Sequence, residues 1–281
     1  MRRREFIGLL GGAAAWPLAA FGQTSERTPR VAAARALLRR AGRSRAGRFL
    51  VEGAQAVREA LTWDGTVFEV FVTEHVRAPD LVARAESRGV PVSVVTDRAM
   101  AGLTETVTPQ GIVAVCSLVD VPLSSALVGT PQLVAVLVGV SDPGNAGTVI
   151  RVADAAGADA VILAGPAVDP HNGKCVRAST GSLFHVPIAR ADTEAALTAC
   201  REAGLRLVAA TGHAEPDLDS SRATLTAPTA WLFGSEAHGL PPEVTAAADA
   251  ELRVPIYGQA ESLNLATAAT ICLYATAWQQ R

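Results

Sequence analysis

Apolar positions along the chain recur with two different periods, and the alternation between them predicts the elements. Residues 31–40 place apolar side chains at helical spacing, and residues 49–51 read as a strand leading into a helix over 53–61. Strands follow at 67–72 and 90–95, a helix at 79–88 and a closing strand at 111–116, which together make a small α/β unit. Residues 120–132, with Pro122, Gly129 and Pro131, interrupt the pattern and read as a linker. The second half opens on a buried-type strand at 133–140 and continues through strands at 160–163, 206–210, 230–233 and 252–255, with helical segments between most of them. Such alternation predicts a mostly parallel sheet covered on both faces, with ligands bound beyond the carboxyl ends of its strands. The final helix, 263–278, is apolar around nearly its whole circumference. One face can pack on its own sheet, and the other needs a second partner.

At 281 residues the chain is comfortable for two domains, each with its own core. Hydrophobic residues at 49%, charged residues at 19% and a net charge of −2 describe a globular protein, neither disordered nor strongly basic. The charge distribution changes that picture, because residues 27–48 carry Arg27, Arg30, Arg35, Arg39, Arg40, Arg43, Arg45 and Arg48 and no acidic residue. This stretch reads either as a solvated helix face or as a phosphate-contacting arm. Cys116, Cys175, Cys200 and Cys272 form no CxxC pair and the histidines show no HExxH spacing, so no disulfide scaffold and no metal site is expected.

The first residues point elsewhere. Arg3-Arg4-Glu5-Phe6-Ile7 and the apolar run to Phe21 resemble a twin-arginine export signal, with Ala20 and Gly22 as small residues for cleavage. The run is too short and too interrupted by Gly and Pro17 to span a membrane, so no stable membrane association is expected. This segment alone supports an exported ligand-binding protein.

Three loops carry the candidate chemistry, each after a strand and each rich in Gly, Asn, Ser or Pro. They are Ser141-Asp142-Pro143-Gly144-Asn145-Ala146-Gly147, Gly234-Ser235-Glu236-Ala237-His238-Gly239, and residues 257–264. None is a GxGxxG, a Walker loop or a GxSxG elbow, and Asp-Pro-Gly-Asn taken singly is a good turn sequence. As an ordered set they resemble the three motifs of the SpoU family of RNA 2′-O-methyltransferases, in the SPOUT superfamily, over most of residues 133–277. The first motif is Asp142 to Gly147 with Arg151 beyond it, and the second is Leu232-Phe233-Gly234-Ser235-Glu236 ending at Gly239. The third is Val254-Pro255-Ile256 with Ser262-Leu263-Asn264-Leu265, and Lys174, Arg177-Ala178-Ser179 and Gly181 match a further family stretch. Gly47-Arg48-Phe49 and Glu52-Gly53 resemble the RNA-binding domain of ribosomal-protein type often found ahead of this catalytic domain.

The residue pattern and the resemblance together predict an α/β chain: a signal-like or extraneous segment at 1–25 and a linker at 120–132 from the pattern, an RNA substrate-binding domain at 26–119 and a methyltransferase domain at 133–281 from the resemblance. The last is expected to have a parallel sheet with a trefoil knot, an exception to unknotted topology. S-Adenosylmethionine is expected in the knot, held by backbone groups of Gly234, Val254, Ile256 and Leu263. Asn145, Arg151, Glu236, Ser262 and Asn264 correspond to the family's catalytic positions, and Arg39, Arg40, Arg43, Arg48, Lys174 and Arg177 are the expected RNA contacts. The substrate would be RNA, ribosomal ahead of transfer RNA, modified in the cytoplasm by a homodimer that buries the last helix; an inactive RNA-binding relative is the alternative. Arg151 is a poor base, because a guanidinium pKa above about 12 makes neutralisation near neutral pH cost about 6 kcal/mol or more. It reads better as a clamp on the substrate phosphate, with the proton passing to phosphate or water.

Overall fold

Pro29 opens the first helix among the described residues, where a missing N–H costs nothing, and Val31 and Ala34 of that helix face inward. The structure, a computed structural model, describes residues 24–76 and 78–281; residues 1–23, nearly all of the signal-like segment, lie outside the described residues. The described residues from Thr24 to Leu118, joined by His171–Arg177, form one compact unit. Its elements are α1 (Pro29–Ala36), α2 (Arg40–Ala46), β1 (Arg48–Glu52), α3 (Ala54–Ala60), β2 (Val67–Val72), α4 (Pro79–Ser87), β3 (Val92–Val94), α5 (Asp97–Ala101) and β4 (Ile112–Ser117). The sheet order is β1-β4-β2-β3, with β4 antiparallel to both neighbours and β3 parallel to β2. Val31 and Ala34 of α1 and Ala99 and Met100 of α5 cover Leu50, Phe71 and Val113 of the sheet.

Two departures from simple alternation mark this unit. The β2–β4 register shifts between Val67 and Glu69, leaving Phe68 exposed and Glu69 buried. One oxygen of the buried carboxylate is matched: Glu69 Oε1 accepts from Ser93 Oγ at 2.7 Å and from Arg30 Nη1 at 3.4 Å. The second departure is the late segment His171–Arg177. Its His171 ring sits 4.7 Å from the Phe49 ring, and Arg177 Nη1 donates to Glu52 Oε2 at 3.1 Å.

Val119–Pro170 and Ala178–Arg281 form the second unit. It contains β5 (Asp120–Val121), α6 (Leu123–Ala126), β6 (Leu133–Val138), α7 (Pro143–Ala156), β7 (Ala160–Ala164), the end of α8 (Gly173–Ser179), β8 (Ile188–Ala191), α9 (Thr193–Glu202), β9 (Arg206–Ala210), β10 (Thr229–Phe233), α10 (Pro242–Ala247), β11 (Ala250–Leu252) and α11 (Leu265–Gln280). Seven strands lie in the order β11-β9-β10-β6-β7-β8-β5, and every pair is parallel. All six side chains of β6 are buried, as a strand covered on both faces requires. Ala126, Leu197 and Val244 cover one side through Val134, Val136 and Leu232. α7 and α11 pack together and reach β6 and β10 from the other side, where Trp231 Nε1 donates to Thr276 Oγ1 at 2.8 Å. That bond satisfies the indole inside a dry core.

Some elements differ from the sequence expectation. Within residues 120–132, β5 pairs with β8 and α6 packs on β7, β8 and α9, so the stretch expected as a linker belongs to the second unit. β8 itself has only four residues, two of them buried, and is too short for its alternation to be read. The strand expected at 252–255 lies at Ala250–Leu252 instead, because Pro255 has no N–H for a ladder. No described helix is long and apolar enough to cross a membrane.

Candidate active site

β10 runs beside β6 with Phe233 opposite Leu137, so the segments leaving the two strands emerge next to each other. Strand order also reverses here, since β7 and β8 extend the sheet on one side of β6 while β9 and β10 return on the other. A crevice at the carboxyl ends of the strands is the consequence in open parallel sheets.

Residues 139–142 lead into α7. Asp142 caps that helix, its Oδ1 accepting from the Asn145 backbone N–H at 2.8 Å, with Pro143 at the first helical position. What reads as a turn sequence is thus a helix start, and the capping aspartate followed by proline was its available signal. The cap fixes Asn145 in the first turn, facing the loop after β10.

That second loop closes on itself: Ser235 N donates to Gly239 O at 3.0 Å and Gly239 N to Ser235 O at 2.9 Å. Gly234 permits the closure, since a Cβ there would lie 2.1 Å from the Gly239 carbonyl carbon and 2.2 Å from Leu240 N. The closed loop presents Glu236, whose Oε1 accepts from Asn145 Nδ2 at 2.9 Å. Desolvation alone would raise the Glu236 pKa. The Asn145 amide and the backbone N–H groups of Glu236, Ser141 and Asp142 outweigh it, and the carboxyl is held below the usual carboxylate range. The ionised form and its contacts therefore persist at neutral pH and are lost only as pH falls through that lowered value.

The third loop, after β11, ends at Asn264. Its Oδ1 caps α11, accepting from Ala266 N at 2.9 Å and Thr267 N at 3.4 Å, while its Nδ2 donates to Asn145 Oδ1 at 3.0 Å. A continuous run from Asn264 through Asn145 to Glu236 thus ties together two helix starts and one loop. Asn145 is fixed at both its oxygen and its nitrogen, and one of its two amide N–H donors is used on Glu236.

The remaining expected catalytic residues are not members of this hydrogen-bonded run. Ser262 is exposed on the third loop. Arg151, also exposed, stands six residues along α7 from Asn145, about 9 Å of helical rise. Its Nη1 donates to Thr180 Oγ1 at 3.4 Å. Of the expected cofactor residues, Gly234 is buried, and Val254, Ile256 and Leu263 are half-buried in backbone outside regular elements. Irregular backbone offers N–H and C=O groups that no ladder consumes, and the half-buried apolar side chains offer cover for an adenosine, so these residues fit the donor.

The expected RNA contacts divide. Arg39, Arg40 and Lys174 are exposed, and Arg48 lies with its guanidinium 3.8 Å from the Phe68 ring centroid, where burial lowers its pKa. Arg177 faces Glu52 at 3.1 Å and Glu105 at 3.7 Å, so its charge is matched within the first unit. Arg43 requires correction as an RNA contact: it is 4% exposed and its Nη1 donates to the carbonyls of Leu37 and Leu38 at 3.0 and 2.9 Å. Those carbonyls follow the last residue of α1, where backbone acceptors have no donor within the helix, so Arg43 builds the unit.

The model of the SpoU rRNA Methylase family matches residues 132–274, and that of the MRM3-like substrate binding domain matches residues 28–114. The chain is 35% identical over 235 residues to the 23S rRNA (guanosine(2553)-2′-O)-methyltransferase RlmP of Bacillus subtilis, covering 83% of this chain and 89% of the relative. Among solved structures it resembles the AdoMet-bound rRNA methyltransferase from Sinorhizobium meliloti, with TM-score 0.79, 34% identity and coverage of 91% and 97%. The SpoU methyltransferase AviRb from Streptomyces viridochromogenes with AdoMet aligns at TM-score 0.77 and 31% identity, covering 90% of this chain and 98% of that one. With three loops tied together by hydrogen bonds and matches of this extent, the chain belongs to the SpoU rRNA methylase family.

Proposed function

We propose that this chain transfers a methyl group from S-adenosylmethionine to a ribose 2′-hydroxyl of ribosomal RNA. The observation that carries the reading is the hydrogen-bonded run Asn264–Asn145–Glu236, which gathers three loops that follow parallel strands of one sheet. S-Adenosylmethionine supplies a methyl group on a sulfonium, a leaving group that needs no metal. Gly234, Val254, Ile256 and Leu263 are assigned to hold it, and Ser262 and Asn264 to order the loop around Leu263. Asn145 and Glu236 fix the floor against which the ribose is aligned, which is most of what such a transfer asks of a protein. Arg151 clamps a substrate phosphate with its planar fork, and the hydroxyl proton passes to phosphate or water.

The first unit, matched by a substrate-binding family model, is assigned to present the RNA through Arg39, Arg40, Arg48 and Lys174. Large-subunit rRNA is the first candidate, because the Bacillus relative is named for 23S rRNA. Mapping 2′-O-methyl groups in cells with and without the gene is expected to show a ribose methylation in large-subunit rRNA that disappears on deletion. A loss confined to transfer RNA would redirect the substrate, and unchanged methylation in both would overturn the reading. Both donor and ribosomal RNA are cytoplasmic, so the reaction is assigned there.

The reading extends to a trefoil knot in the second unit, supported by the chain's return from β11 at one sheet edge to α11 against α7 and β6. It extends also to a homodimer. α11 buries Ala266, Ala269, Cys272, Leu273 and Ala277, yet leaves Ile271 39% and Trp278 73% exposed, with the Tyr274 ring 5.7 Å from that of Trp278. Aromatic and aliphatic surface left on an otherwise packed helix is the expected mark of a second copy. Sedimentation is expected to give about twice the 29.0 kDa chain mass, and a fully active monomer would sink the dimer.

A further inference from the structure

Thr180 is the only non-glycine residue with positive φ among the described residues, at 51°. A β-branched side chain is a poor occupant of that region, because Cβ crowds the backbone there and its rotamers are already few. Such strain persists where neighbouring structure over-determines the residue, and observed outliers of this kind gather at functional sites. The surroundings of Thr180 are specific. Its Oγ1 donates to the Ala178 carbonyl at 3.4 Å and accepts from Arg151 Nη1 at 3.4 Å.

The turn that follows is tied to the same helix a second time. α7 packs against the 3-10 turn Ser182–Phe184, and His185 Nδ1 lies 2.9 Å from Asp154 Oδ2. Asp154 is three residues beyond Arg151 and so shares its helix face. Residues 180 and 185 thus bracket the turn and grip α7 at two neighbouring points. A contact of 3.4 Å adds little binding energy. Its effect is on orientation, since an arginine on an exposed helix face otherwise samples many rotamers.

We infer that Thr180 is a positioning residue for Arg151, its hydroxyl held in a strained backbone so that the guanidinium fork points where the RNA phosphate must bind. This rests on the clamp role assigned to Arg151 above. A residue with only a structural role would change stability and rate together. Thr180 separates them: removing the strain stabilises the chain while disabling the clamp.

Three variants of the full chain test this. Thr180→Ser keeps the hydroxyl, Thr180→Val keeps the shape without it, and Thr180→Gly relieves the strain while losing it. The readouts are single-turnover methyl transfer to protein-free large-subunit rRNA from cells lacking the gene, S-adenosylmethionine affinity, thermal stability and the Arg151 Nε–H resonance, assigned by its absence in Arg151→Lys. Thr180→Ser is expected near the wild-type rate, and Thr180→Val and Thr180→Gly about tenfold or more below it, with donor affinity unchanged. Thr180→Gly is expected to melt no lower than wild type. The Arg151 resonance is expected to move towards that of a solvent-exposed arginine in the Val and Gly variants only. Wild-type rates in both of those, or a resonance that does not move, would overturn the inference. If wild type itself leaves this RNA unmethylated, the functional reading fails, and the resonance still decides whether Thr180 holds the guanidinium.

Discussion

Arg151→Lys is expected to slow single-turnover methyl transfer by about a hundredfold or more, with S-adenosylmethionine affinity and melting temperature little changed. A guanidinium offers a phosphate two parallel N–H donors in a fixed plane, whereas an ammonium offers a point charge on a flexible stem. Positive charge survives the substitution, so a loss of this size isolates the geometry of the fork from its electrostatics. Arg151 is exposed on α7 and belongs to none of the loops assigned to the cofactor, which is why stability and donor binding are expected to hold. A rate within threefold of wild type would sink the clamp. A lysine variant that had lost donor binding would show instead that Arg151 supports the cofactor loops.

Gly234→Ala is expected to abolish S-adenosylmethionine binding measured by calorimetry, and with it all transfer. The added Cβ would lie 2.1 Å from the Gly239 carbonyl carbon, 2.2 Å from Leu240 N and 2.3 Å from Gly239 O. All three are backbone atoms that cannot rotate aside, so the loop has to open. Opening breaks the two bonds between Ser235 and Gly239 and withdraws Glu236 from Asn145. Overpacking of this kind costs about 1–3 kcal/mol, enough to lower the melting temperature without unfolding a domain of this size. Unchanged donor affinity in a chain with a lowered melting temperature would show that the loop closes the crevice without holding the donor.

Much of this architecture could be read along the chain because long apolar runs are strong signals. β2, β6 and β9 lie within runs whose composition predicts them and β10 starts one residue before its run, and two of these strands, β6 and β10, end at chemistry-bearing loops. Short elements were not legible: β5 has two residues and β8 four, too few for a period to emerge. Arg43 shows a different limit. Its neighbours in sequence are arginines that do face solvent, and nothing in a basic run reveals which guanidinium folds back onto helix carbonyls. Thr180 shows a third, since a strained φ is a property of the surrounding structure and leaves no trace in residue type. Arg177 pairs with Glu52 at a separation of 125 residues, a distance over which one sequence alone names no partner.

The all-parallel strand order has a consequence for how the protein is made. Parallel neighbours cannot be joined by hairpins, and β10 takes its place beside β6 only after nearly a hundred intervening residues have been synthesised. Asn145 meets Glu236 across 91 residues and Asn264 across 119. β6, β7 and β8 can pair while the rest of the chain is still on the ribosome, but the crevice cannot close before the last helix emerges. Nascent chains therefore pass through a long interval as partial sheets with an open β6 edge, the kind of intermediate most exposed to aggregation and most dependent on chaperones.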